Sequence, residues 1–236
     1  MESGFILGFG ENGWGPALLY AGAMTVAVAL TGFGIGLVIG MLGALAKLKG
    51  GKLSRGIADT YTTILRGVPD LLVIYLFYFG SSAVLTPLGG FFGASGFISL
   101  PGFLAGSLAI GMVSGAYHTE VMRGAYTAVS PGEIEAAIAT GMSQLTLFRR
   151  IVAPLVLRHA LPGLGNVWQL VLKESALVSV TGLVEIMRMA QIGAGSTRRP
   201  FTFFLAAAIL YLVISAVSGW MLRRAELRLT RGMRQA

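Results

Sequence analysis

The stretch SPGEIEAAIATGMSQLTLFRRIVAP, residues 130–154, is a polar insert of helix-forming residues between long apolar runs. Ser130, Pro131 and Glu133 have the order of a capping box with proline at the first helical position, so a helix begins here. Gly141 supplies a left-handed stop, which limits this helix to about ten residues. A helix of that length cannot cross a bilayer. The sequence therefore predicts a short helix that docks on a partner at a membrane surface.

The composition of the whole chain is that of a membrane protein. Of 236 residues, 55% are hydrophobic and 12% are charged, and the mean hydropathy is +0.76. Soluble domains carry about 25% charged residues. The chain has no Cys, so no disulfide and no Cys-based metal site is predicted. The net charge of +8 does not indicate nucleic-acid binding, because the bases are not gathered on one soluble face with aromatic residues.

Five membrane-spanning helices are predicted, since about 20 apolar residues are needed to cross roughly 30 Å of hydrocarbon. They cover approximately residues 18–45, 61–79, 104–126, 160–183 and 201–222. The expected fold class is thus an all-α polytopic bundle, and the chain is predicted to form one transmembrane domain over 1–236. Its core covers roughly 15–225, and a cytoplasmic loop covers 128–154.

The basic residues predict the orientation of this bundle, because Lys and Arg near span ends favour the cytoplasm. An odd number of spans puts the amino terminus outside, the carboxyl terminus inside, and the insert at 130–154 in the cytoplasm. A minority of bases falls in the external loop before span five. Twelve bases support this topology and three oppose it: Lys47, Lys49, Lys52, Arg55, Arg149, Arg150, Arg158, Arg223, Arg224, Arg228, Arg231 and Arg234 against Arg188, Arg198 and Arg199.

Ionisable residues inside the predicted spans are candidates for a solute site, because a charge at the bilayer centre costs roughly 2.5–3.5 kcal/mol on insertion scales. Arg66 to Asp70 is an i, i+4 spacing, and Glu120 to Arg123 is i, i+3, so each pair can meet on one helical face. One interpretation is structural ion pairing. For the acids we favour a polar cavity that receives a cationic solute. The ionisable residues within spans are Arg66, Asp70, His118, Glu120, Arg123, Lys173 and Glu174.

Two prolines and a tyrosine add to this candidate site. Pro69 and Pro162 are each expected to interrupt a span, and transporters build sites at interrupted spans; a kink that serves only packing is the alternative. Tyr117 lies one turn from Glu120 and offers a ring and a hydroxyl to a planar cation. The predicted substrate-binding residues are Asp70, Glu120, Tyr117, Glu174 and Arg66.

Gly32, Gly36 and Gly40 fall at every fourth position of span one, which indicates close helix packing. The partner is either a neighbouring span or a second subunit, or the glycines reflect ordinary enrichment in membrane helices. The chain lacks both a dinucleotide fingerprint and a phosphate-binding loop. No catalytic residue, bound cofactor or metal site is predicted. Because the chain has no phosphate-binding loop, any hydrolysis of ATP linked to its function is assigned to another polypeptide.

The insert resembles the EAA loop of permease subunits of ATP-binding-cassette importers. The matching residues are Glu135, Ala136, Ala137, Gly141, Ile151 and Pro154, which implies that they form the cytoplasmic helix that couples to the ATPase. Ala153 departs from the Leu that usually precedes this proline.

Three further blocks, residues 66–70, 116–125 and 173–179, resemble permeases for polar amino acids in the histidine, lysine, arginine, ornithine and opine branch. Glu174 departs from the Ser or Asp more usual in that branch. The resemblance implies the type I importer permease fold, alternating access, and the inner membrane of a bacterium. It also implies a heterodimer with a second homologous permease, two ATPase subunits that bind ATP and Mg, and a periplasmic solute-binding protein. A passive channel or scaffold is the alternative; two His and no closely spaced acid pair disfavour a membrane enzyme.

Overall fold

The structure is a computed structural model that describes residues 6–10, 13–91, 96 and 98–229. Over these residues it contains helices and turns but no strand, which confirms the all-α fold class. Arg231 and Arg234 of the predicted cytoplasmic cluster lie outside the described residues. The α-helices are α1 (Gly15–Lys49), α2 (Lys52–Gly67), α3 (Asp70–Phe91), α4 (Gly102–Thr127), α5 (Pro131–Ala139), α6 (Gln144–Leu147), α7 (Ala153–Glu174), α8 (Ile186–Thr197) and α9 (Pro200–Leu229). A π-helical turn, Phe148–Val152, joins α6 to α7, and a 3₁₀ segment, Ser175–Thr181, follows α7.

Three helices of the described chain are both long and apolar enough to cross a membrane: α1, α3 over Asp70–Leu88, and α9 over Pro200–Arg228. Predicted spans three and four correspond to α4 and α7, which are less apolar. The reason is their position, since α4 packs against α1, α2, α3 and α7 in the centre of the bundle. Thirteen of its 26 residues are buried. A helix surrounded by other helices needs less hydropathy than one that faces lipid.

The predicted span over 61–79 is interrupted at Pro69, as expected, because the helix breaks between α2 and α3. Val68 has an extended backbone, with φ −93° and ψ 136°. Proline disfavours the helical conformation for the residue before it, and Pro69 supplies this constraint. Pro162 was also expected to interrupt a span, but α7 continues through it. Membrane helices tolerate an internal proline where neighbouring groups satisfy the freed carbonyl.

The glycine series of α1 packs against α4 of the same chain. Gly32, Gly36 and Gly40 face Ile110, Ser114 and His118 respectively, so the two helices run in parallel along this contact. The contact is reciprocal, because Gly111 and Gly115 of α4 face the side chains of Ile35 and Ile39. The neighbouring-span interpretation of these glycines is therefore confirmed.

Aromatic side chains join this helix pair to α7. The Phe33 ring lies edge-on to His118 at 4.6 Å and to Trp168 at 5.6 Å between ring centroids. Phe33 and Trp168 belong to the main hydrophobic core, which α3 completes with Val73 and Ile74. The core thus fixes α3 and α7 against the central helix α4.

Candidate functional site

A polar cluster lies where α2 breaks into α3. The guanidinium carbon of Arg66 lies 5.5 Å from the centre of the Tyr117 ring. Electrostatic interactions link Tyr117 to Asp70, Glu174 and Arg66, and they link Asp70 directly to Glu174. Four of the five predicted substrate-binding residues thus lie together, although three different parts of the sequence supply them.

Helix ends position these side chains. Arg66 is in the last turn of α2, Asp70 is the first residue of α3, and Glu174 is the last residue of α7. Tyr117 lies ten residues before the end of α4, which is about 15 Å along a helix of about 39 Å. The cluster is therefore near the middle of the central helix. No ion pair is recorded between Arg66 and Asp70 in the described chain, because the break removes the i, i+4 geometry that the sequence suggested.

Glu174 is the unusual member of the cluster. The residue is 5% exposed, and neither carboxylate oxygen meets a hydrogen-bond donor among the described residues. Its neighbour Asp70 is also an acid, and the carboxyl end of α7 adds the negative end of a helix dipole. The carboxyl group of Glu174 is therefore poorly compensated by the described residues around it.

Glu120, the fifth predicted substrate-binding residue, lies in a separate charge cluster. Lys47 Nζ donates to Glu120 Oε1 at 2.6 Å, to Asp59 Oδ1 at 2.8 Å and to Thr62 Oγ1 at 2.7 Å. Arg123 donates to Glu120 Oε2 from Nε at 3.0 Å and from Nη2 at 2.8 Å. This cluster ties α1, α2 and α4 together, and both oxygens of Glu120 are already satisfied.

The insert at 130–154 forms the predicted short helix, α5. The helix begins after Ser130, which has an extended backbone, but the Ser130 side chain makes no capping hydrogen bond. The stop is at Gly141, whose φ of +78° is the left-handed conformation that glycine adopts without strain. Glu135 and Ala136 are exposed, whereas Ala137 is 5% exposed.

The two halves of the insert meet at a groove of about 510 Å³ between α5 and the start of α7. Ala136 and Ala137 line it from α5, and Ile151 and Pro154 line it from the π turn and α7. The resemblance had singled out these four residues in the sequence, and the fold brings them to one place. The helical path from α6 leads through the π turn into α7, a helix of the main core.

A third polar cluster was missed by the sequence reasoning. Glu185 is fully buried and accepts hydrogen bonds from the backbone N–H groups of Met187 at 2.8 Å and Arg188 at 2.7 Å, and from the Tyr211 hydroxyl at 3.0 Å. The predicted span four ends at 183, so Glu185 was not counted among intramembrane acids. It caps α8 and links it to α9.

Comparison with known proteins shows which family the chain resembles. The family model of the binding-protein-dependent transport system inner membrane component matches residues 32–231. The chain belongs to this family. The permease is 60% identical over 235 residues to the octopine transport system permease protein OccQ of Agrobacterium tumefaciens (strain Ach5), covering 100% of this chain and 99% of that protein.

Two further relatives extend the comparison. The permease is 47% identical to the nopaline transport system permease protein NocQ of Agrobacterium fabrum, over 97% of this chain and 98% of that protein. It is 38% identical to the histidine/lysine/arginine/ornithine transport system permease protein HisQ of Escherichia coli, over 95% of this chain and 98% of that protein. A crystal structure of an amino acid ABC transporter with histidines matches with a TM-score of 0.77 and 32% identity, over 91% of this chain and 95% of that chain. These matches confirm the predicted membrane fold and the importer permease class.

Proposed function

We propose that this permease imports an arginine-type amino acid or an opine, and that the solute binds at the cluster of Arg66, Asp70, Tyr117 and Glu174. The observation that carries this proposal is the buried carboxyl group of Glu174, whose neighbour is a second acid, Asp70, and whose oxygens meet no basic donor among the described residues. The names of the relatives that transport octopine, nopaline and basic amino acids support the same solute class.

The cluster matches both ends of such a solute. A guanidinium or ammonium group placed between Asp70 and Glu174 can donate to both carboxyl groups and favours their ionised forms in a poorly solvated place. Tyr117 offers its ring face to the same planar cation. Arg66 is a donor for the carboxylate that amino acids and opines also carry. We assign Glu120 to the stability of the α1, α2 and α4 contact, because Lys47 and Arg123 already occupy its oxygens.

The remaining parts of the proposal concern the assembly. A second homologous permease, two ATPase subunits that bind ATP and Mg, and a periplasmic solute-binding protein complete the transporter, which lies in the bacterial inner membrane with its amino terminus outside. Closure of the ATPase pair on ATP moves α5, and the path through Ile151 and Pro154 passes this motion to α7 and thus to Glu174. Only a difference in ATP affinity between the two states of the transporter drives such a cycle.

Reconstitution in proteoliposomes tests the transport activity. The complex is expected to accumulate labelled arginine or octopine only when ATP and the solute-binding protein are both present. Flux without ATP would instead support a passive channel. Failure of a cationic solute, with uptake of a neutral amino acid, would contradict the proposed solute class but leave the importer proposal intact.

Coupling needs its own variant and control. Gly141→Ala forces a side chain into a left-handed turn, which costs roughly 1–2 kcal/mol, and is expected to reduce copurification of the ATPase and ATP-dependent uptake. Gly132→Ala is the matched control, because its Cβ would have only an ordinary contact, 3.7 Å from Ser130 Oγ. Equal behaviour of the two variants would argue against a coupling role for the shape of this loop.

A further inference from the structure

Helix α2 carries an apolar stripe that nothing in the described chain covers. Leu53, Ile57 and Ile64 are 79%, 62% and 52% exposed. Their spacings of four and seven residues place them along one side of the helix. The opposite part of the surface is different, since Ala58 and Thr62 are buried against the bundle. The stripe therefore faces away from the rest of the chain.

Contacts on the inner side hold α2 in this rotation. Lys47 reaches both Asp59 and Thr62, and the Tyr61 hydroxyl donates to the Met112 carbonyl of α4 at 2.5 Å. Three different side chains of α2 are thus bound to α1 or α4. Turning the stripe inward would break all of these bonds, so it has to be covered from outside.

Basic side chains surround the corner where the stripe begins. Lys49 ends α1, Lys52 begins α2, and Arg55 follows one turn later, all with exposed side chains. The nearest acid in sequence, Asp59, is paired with Lys47 and also interacts electrostatically with Arg55. Leu53 lies between Lys52 and Arg55 and is the most exposed residue of the stripe. The corner thus joins three exposed bases, whose one nearby acid is shared with Lys47, to an apolar surface.

The depth of α2 matches the layers of a bilayer leaflet. From this corner α2 leads to the break beside Tyr117, which is near the middle of α4. The basic corner therefore lies at the level of lipid headgroups, and Ile57 and Ile64 lie at successively greater depth. An anionic headgroup with an acyl chain has the same order of negative charge followed by apolar surface.

We propose that the α1–α2 corner is a binding site for an anionic phospholipid of the cytoplasmic leaflet. Its phosphate group contacts Lys49, Lys52 and Arg55, and an acyl chain lies along Leu53, Ile57 and Ile64. A second permease subunit is a weaker occupant of this surface, because covering it would require desolvation of three bases, and the one acid near them, Asp59, is shared with Lys47.

The absence of Cys from the chain allows a direct test. The complete transporter, with partner cysteines replaced, carries Leu53→Cys labelled with bimane in nanodiscs that contain brominated phosphatidylglycerol or brominated phosphatidylcholine. We expect the phosphatidylglycerol to quench the probe several-fold more efficiently. Thr140→Cys at the end of α5, which is exposed in the cytoplasmic loop, is the control site and is expected to show little quenching by either lipid.

Charge removal then identifies the headgroup contact. In the Leu53→Cys background, K49Q/K52Q/R55Q is expected to abolish the preference for phosphatidylglycerol. R188Q/R198Q/R199Q removes the same number of charges near α8 and is expected to preserve it. Equal quenching by the two lipids, or a preference that survives loss of the corner charges, would overturn the proposal. Cross-linking of Leu53→Cys to the second permease in place of lipid quenching would overturn it as well. If the triple variant does not fold, the comparison of the two lipids with Leu53→Cys alone decides the matter.

Discussion

At the scale of single residues, the most informative feature is a buried acid without a donor. A carboxylate in the position of Glu174 weakens folding, since burial and the neighbouring Asp70 both oppose its charge. A residue that lowers the stability of the fold in this way is typical of a functional site, where a ligand interacts with its charge. Glu174→Gln is therefore expected to increase thermal stability in detergent while it decreases uptake of a cationic amino acid at least tenfold, a loss equivalent to about 1.4 kcal/mol.

The control for Glu174→Gln is a comparison of uptake between a cationic and a neutral amino acid. Asp70→Asn and Glu174→Gln are both expected to impair uptake of a cationic amino acid more than uptake of any neutral amino acid that the complex accepts. Losses of the same size for both solutes would reduce these acids to structural groups. Measurement of initial uptake rates in proteoliposomes, beside thermal unfolding of the same preparations, distinguishes the two roles.

Lys47 has the opposite character, because its amine joins three acceptors and its side chain is 8% exposed. Lys47→Met keeps the length of the side chain but leaves Glu120 with Arg123 alone. A hydrogen bond to a charged group contributes about 1.5–3 kcal/mol, and we expect a loss of stability in that range. Lys49→Met, two residues away and exposed, is expected to change stability in neutral detergent by less than about 0.5 kcal/mol. Similar melting temperatures for the two variants would contradict the assigned role of Lys47.

At the scale of helices, close packing of α1 on α4 depends on glycine at particular positions. A Cβ at Gly36 would contact Ser114 Oγ and come within 3.0 Å of the Gly115 nitrogen, whereas a Cβ at Gly34 has no neighbour within 4 Å. Gly36→Leu is expected to force the helices apart and to lower stability by roughly 1–3 kcal/mol or more. Gly34→Leu adds the same side chain and serves as the control. Expression level and thermal unfolding report the difference, and equal stability of the two variants would contradict the packing.

Local signals in the sequence predicted some helix ends well and others poorly. Gly141 stops α5 where it was expected, because the left-handed conformation is a property of that residue alone. Pro69 was recognised as an interruption, yet the predicted span was drawn through it, since hydropathy continues on both sides. The sequence did not predict that Glu120 belongs to the charge cluster around Lys47. Lys47 is 73 residues away, and only the packing of α1 on α4 brings the two side chains together.

At the scale of the whole molecule, the least apolar long helices occupy the centre. Sequence hydropathy measures contact with lipid, so α4 and α7 give a weak signal although the bundle depends on them. The same arrangement gathers Tyr117 of α4 and Glu174 of α7 beside the α2–α3 break, whereas the groove at α5 lies beside the opposite end of α7. In the proposed mechanism α7 links the two places, and this in turn requires that α5 lie on the ATPase side of the membrane.

Cysteine labelling in intact cells tests that topology. Ala137 is a poor site because it is buried, so we choose Ala139 on α5 and Gln191 on α8, which are both exposed. A membrane-impermeant maleimide is expected to label Gln191→Cys in intact cells, because α8 precedes the last outside-to-inside crossing. The same reagent is expected to label Ala139→Cys only after permeabilisation or in inverted vesicles. Labelling of Ala139→Cys from outside would place α5 away from the ATPase, and ATP could then not act on α7 through this loop.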